Sequence, residues 1–100
     1  MRYERVYIAG KITGDTGYRE KFKEAEQRLE KDYKWNWWCI VNPVREVPEK
    51  WPWWRQMLRC LRLLAGCKVV VMLPDWRESR GARKEHRWAR RLKKEIIYLY

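Results

Sequence analysis

The chain has 100 residues, 46% of them apolar and 37% charged, a mixture that closes one core and excludes both wholesale disorder and a second independent domain. Twenty-four Lys and Arg against thirteen Asp and Glu leave a formal net charge of +11, which draws anions such as nucleotides, nucleic acid or anionic lipid toward the surface. Cys39, Cys60 and Cys67 lack CxxC spacing and His86 stands alone, so neither a metal site nor a cofactor is expected.

Val6 to Ala9 is apolar, β-branched or aromatic at its first three positions, and stops at Gly10, which predicts a short buried strand followed by a loop with a second glycine at Gly14. That run is too short for a signal peptide and follows Arg2, Glu4 and Arg5. No segment reaches membrane-spanning length, so a cytoplasmic setting without membrane attachment is expected. A helix capped by Asp15 or Thr16 comes next, with Tyr18, Phe22, Ala25 and Leu29 on one face. Trp38 to Val41 predicts a second strand, and Pro43 and Pro48 mark a connecting loop.

Pro52 suits the first turn of a second helix, whose apolar stripe is Trp54, Met57, Leu58, Leu61, Leu64 and Ala65, closing near Gly66. Val69 to Leu73 is an uninterrupted apolar run of the kind that parallel strands covered on both faces require. A loop from Pro74 to Gly81 leads to a third helix over about Ala82 to Lys94, and Ile96 to Tyr98 supply a last strand. The alternation predicts one α/β domain over residues 1–100, with a mostly parallel four-stranded sheet and helices on both faces. In such sheets ligands bind beyond the carboxyl ends of the strands, here at the loops beginning at Gly10, Asn42 and Pro74.

One residue does not suit its face. A helical wheel aligns Ala82, Ala89 and Ile96, with Leu92 beside them, and Glu85 falls inside that stripe. A carboxylate on the core side needs a partner or a cavity. The plain reading is a carboxylate capping the helix start or paired with a neighbouring Arg. Its company favours a site, because Gly81 permits close approach and Ser79 precedes a helix start where amides hold an anion. Arg83, Lys84, Arg87, Arg90 and Arg91 take the opposite face, facing solvent or a phosphate backbone, and His86 borders the stripe, packed or able to transfer a proton. The loop Gly10-Lys11-Ile12-Thr13-Gly14 is neither a Walker A sequence nor a dinucleotide fingerprint, although Lys11 and Thr13 suit phosphate contacts.

Three segments, "VYIAGKITG", "NP" and "LPDWRESRGARKEH", span most of the chain and resemble the nucleoside 2-deoxyribosyltransferase-like superfamily, in its small bacterial and phage branch. The resemblance implies a three-layer Rossmann-like (flavodoxin-like) sandwich. It also implies cleavage or transfer at the N-glycosidic bond of a deoxynucleoside or its monophosphate. By that resemblance Glu85, ending an SxGxxxE pattern, is the nucleophile, and Tyr7 orients it. Ser79 lies near the sugar or phosphate, and Gly10, Lys11 and Thr13 approach the 5′ end of the ligand. Two positions depart from the family pattern: Cys60 stands where active members carry an aspartate that contacts base or sugar, and Lys68 where an acidic residue often precedes the third strand.

Two further readings compete with an N-glycosidase or transferase. One is a nucleotide-binding protein that kept the cleft and lost turnover, which Cys60 favours. The other is a nucleic-acid-binding module, resting on the basic helix and eight tryptophans. Trp54 is expected in the core, while Trp35, Trp37, Trp51, Trp53 and Trp76 are less easily buried. Surface aromatics more often mark a protein interface, so self-association as a dimer or larger homo-oligomer is expected, the resemblance implying a site completed by a neighbouring subunit.

Overall fold

A computed structural model of the protein describes residues 4–99, so positions 1–3 and 100 of the expected domain lie outside the described residues. The elements follow in the order β1 (Val6–Ala9), α1 (Tyr18–Asp32), β2 (Ile40–Val41), α2 (Pro43–Glu46), α3 (Trp53–Ala65), β3 (Val69–Met72), α4 (Arg80–Arg91) and β4 (Glu95–Tyr98). The sheet has the order β2-β1-β3-β4 and is parallel throughout, a Rossmann-like arrangement with flavodoxin-like strand order. β1 is the strand at which the order reverses: β2 lies on one side of it and β3, four residues in register from Val6↔Val69 to Ala9↔Met72, on the other.

Strand side chains alternate, and this divides the core into two layers. Val6, Ile8, Val69 and Val71 face Phe22, Ala25 and Leu29 of α1. Tyr7, Ala9, Val70 and Met72 face Leu64 of α3 together with Ala82 and Ala89 of α4. Each large aliphatic or aromatic side chain fully buried in these layers contributes about 1.5–3 kcal/mol. The second layer carries the consequence for function, because it points the one polar side chain of β1, Tyr7, toward α4.

Several expectations are corrected. The second strand is only Ile40–Val41; Trp37–Cys39 form a 3-10 turn, closed by the Cys39 amide donating to the Asn36 carbonyl at 3.0 Å. The connection after it holds α2, which starts where the Asn42 side chain accepts from the Val44 amide. α1 begins after Gly17 with no side-chain cap; Asp15 instead accepts from the Gly17 amide at 2.9 Å, two residues too early to cap the helix. α4 starts two residues before the expected Ala82 and ends at Arg91, where Lys93 turns to φ 58, leaving Ile96 on β4 and Leu92 exposed.

The tryptophans exchange expected places. Trp35 is 2% exposed, and its ring nitrogen donates to the Glu4 carbonyl at 3.0 Å. Trp54 is 62% exposed, because the inward edge of α3 runs through Met57, Cys60 and Leu64, rotated away from Trp54, Leu58 and Ala65. Among the described residues no helix is long and apolar enough to cross a membrane.

Candidate active site

The loop after β1 and the loop after β3 are tied together beyond the carboxyl ends of their strands. Lys21 of α1 donates to the Lys11 carbonyl at 2.7 Å and to Asp15 at 2.5 Å, and also to Asp75. Asp75 in turn accepts from the Lys11 amide at 3.2 Å. Gly10 sits where these loops converge, and a Cβ there would lie 2.7 Å from the end of the Leu73 side chain, so any larger residue would have to displace Leu73. This clamp fixes one wall of a crevice at the strand-order reversal, where open parallel sheets bind ligands.

α4 forms the opposite wall. Ser79 caps it, its hydroxyl oxygen accepting from the Ala82 amide at 3.1 Å. Ala82, Glu85 and Ala89 then recur on the buried side, so the carboxylate lies one turn inside the helix start, only 6% exposed. The Tyr7 hydroxyl donates to Glu85 Oε2, joining β1 to α4 across 78 positions of sequence. Glu85 is therefore neither a helix cap nor paired with a neighbouring Arg.

Burial dominates the electrostatics. It pushes Glu85 up to about 8 from an ordinary 4.5, and the Tyr7 hydrogen bond opposes that rise only in part. Burial, followed by the Glu85 charge, holds Tyr7 well above the usual phenol range, so Tyr7 remains a hydrogen-bond donor. The Cys60 thiol adjoins Tyr7 and is pushed up to about 12, first by burial and then by Glu85. A carboxyl poised near neutrality beside a fixed donor is an arrangement suited to nucleophilic or general-base work.

The hollow at Glu85 holds about 50 Å³, and its walls include Gly10, Thr13, Cys60, Ser79 and Gly81. At about 30 Å³ per water it is too small for a whole ligand. It shares Ile12, Gln56 and Cys60 with a second hollow of about 320 Å³ under α2, which lies in the range of about 300–1,000 Å³ common for small-molecule sites. Seven of the eight expected site residues thus converge: Glu85, Tyr7, Gly10, Thr13, Ser79, Gly81 and Cys60. Lys11 does not line the hollow; its backbone serves the clamp.

Gly81 faces α3, where a Cβ would stand 3.3 Å from the Met57 sulfur. Lys68 lies just before β3, at the amino end of the strands, remote from the crevice. His86 stacks on Trp76 at 4.1 Å and pairs through Nε2 with the Tyr98 hydroxyl at 2.7 Å, which identifies it as a packed side chain of the α4–β4 edge. Ile12, Trp53, Gln56 and Met57 also line the hollow, and sequence reasoning missed them as site residues. Trp53 and Gln56 lie just outside the expected apolar stripe, and that offset is the one signal they carried. Among the described residues no group of three His, Cys, Asp or Glu side chains is placed to hold a metal ion.

Fold and site together define an α/β domain with a buried, tyrosine-bonded glutamate in a crevice at the reversal of strand order. The chain belongs to the family described as domain of unknown function (DUF4406), whose model matches residues 4–98. No curated protein and no solved structure matches the chain.

Proposed function

We infer that the protein is a nucleoside or nucleotide N-glycosidase or deoxyribosyltransferase of the nucleoside 2-deoxyribosyltransferase-like kind, acting in the cytoplasm with Glu85 as nucleophile. The observation that carries this reading is the Glu85 carboxyl in the crevice wall, held by the Tyr7 hydroxyl. In its ionised form Glu85 attacks the anomeric carbon, and the C1′–N bond breaks with its electron pair leaving on the base. The base takes up a proton from solvent, and water or an acceptor base, returning a proton to solvent, then attacks the glycosyl ester, freeing Glu85. The narrow hollow takes the reacting carbon and the wider one under α2 the base. Ser79 and Thr13 line the narrow hollow, which supports their contact with sugar or phosphate oxygens.

The test is free-base release from a panel of deoxynucleosides and their monophosphates. No release, with several nucleotides raising the melting temperature, would establish the second reading, a nucleotide-capturing protein. Cys60 favours that reading, because a thiol pushed up to about 12 is a poor acid for a departing base.

Tyr7→Phe separates a positioning tyrosine from a merely packed one. The lost hydrogen bond favours ionised Glu85, so its removal raises the Glu85 pKa further. The ascending limb of the pH–rate profile, near pH 8 in the wild type, moves up, and the rate at pH 7 falls by about tenfold. An unmoved limb with a normal fold removes Tyr7 from the mechanism.

Self-association belongs to the same reading. Trp54 and Leu58, one turn apart on α3, are exposed beside Trp53 at the crevice. Sedimentation is expected to find a dimer or larger assembly that Leu58→Glu converts to monomer; a monomeric wild type at micromolar concentration contradicts it.

A further inference from the structure

The outer face of α4 is cationic along its whole length. Arg83, Lys84, Arg87, Arg90 and Arg91 are all exposed, and none has an ion-pair partner among the described residues. Two grooves flank this face. One, of about 490 Å³, is lined by Trp76, Arg83, His86, Arg87, Arg90 and Arg91. The other, of about 180 Å³, has Leu61 and Trp88 with Lys84, Arg87 and Arg91. Arg87 and Arg91 stand on the ridge between them, and no carboxylate lines either groove.

The spacing selects among polyanions. Arg83, Arg87 and Arg91 recur every four residues, about 6 Å of helix rise per step, comparable to the separation of successive phosphates on a nucleic-acid strand. A lipid-surface helix needs an apolar face for acyl chains, whereas α4 turns Ala82 and Ala89 into the sheet core. Trp76 and His86 stack on each other in the wall of the larger groove, which gives it a firm side and leaves the guanidinium groups as its charged lining. Arg83 donates to the Arg77 carbonyl at 3.2 Å, which orients its remaining N–H groups.

We propose that this face binds the sugar–phosphate backbone of a nucleic acid, with Arg83, Arg87 and Arg91 as phosphate contacts. Glu85 lies on the opposite, buried side of the same helix, so a bound strand leaves the crevice open. Backbone contacts of this kind give affinity without base preference and a steep dependence on salt.

The experiment is fluorescence anisotropy of the full chain with a labelled single-stranded 20-mer over a salt series. Binding is expected, with log K falling linearly against log salt. The triple variant R83Q/R87Q/R91Q weakens binding by about tenfold or more at low salt and flattens the slope by about two. A control with equal net charge, K23Q/K31Q/R62Q, removes exposed cations outside both grooves and changes affinity less than about twofold. Should the triple variant fail to fold, Arg91→Gln alone flattens the slope by about 0.7. Equal loss in the control, an unchanged groove variant, or binding to phosphatidylserine vesicles but not to the 20-mer overturns the proposal. Glu85→Gln leaves this binding unchanged, so the result stands apart from the glycosidase reading.

Discussion

Glu85→Gln is expected to lower free-base release by about 10³-fold or more while nucleotide binding, read as a rise in melting temperature, persists. The amide keeps the size of the carboxyl and still accepts from Tyr7, so the crevice retains its shape. It has no charge and cannot form the glycosyl ester. The wild-type rate should climb about tenfold per pH unit below pH 8, because with a pKa of about 8 only about a tenth of Glu85 is ionised at pH 7. A variant that releases base at the wild-type rate removes Glu85 from the chemistry. A flat wild-type profile between pH 6 and 8 contradicts the proposed attack by ionised Glu85.

The second large effect is on stability. Glu85 is ionised above about pH 4.5 when unfolded but above about pH 8 when folded, so between these limits the unfolded chain binds fewer protons. Its contribution is fully present below 4.5 and is lost as pH rises through 8. At about 1.36 kcal/mol per pH unit the loss reaches as much as about 5 kcal/mol, a large share of the stability of a small domain. Glu85→Gln carries no such penalty. The variant should match the wild type near pH 4.5 and exceed its melting temperature at pH 8 by about 10 °C or more.

The comparison has to be the difference between the two proteins, because other groups titrate as well. Burial, then Arg90 and Arg77, lowers the His86 pKa below 6.5, a contribution present above that value and lost as pH falls. Hydrogen bonds from Lys21 and the Gly17 amide hold Asp15 below 3.8, so its contribution is lost only in more acid solution. Both cancel in the difference. Identical pH dependence in variant and wild type would show that Glu85 is solvated.

These effects depend on a placement that was partly legible in the sequence. Val6–Ala9 and Val69–Met72 were readable because central parallel strands are buried on both faces and leave unbroken apolar runs. Glu85 was readable because it interrupts a helical apolar stripe. The segment from Trp35 to Cys39 was not, since tryptophan suits a strand, a turn or an interface equally, and only packing against β1 and α1 buries Trp35. α3 offered two overlapping stripes, and the rotation that exposes Trp54 was set by how the helix lies against α4 and the sheet.

By itself the sequence determined the alternation of strands and helices, the basic face of α4 and the misfit carboxylate, because each is a local pattern with a fixed period. Tertiary structure alone decided that Tyr7 meets Glu85, that Lys21 clamps the loops through Asp75, and that Lys68 is remote from the crevice. Those relations join residues far apart in the chain. Strand order fixes them, and no local periodicity encodes which strand lies beside which.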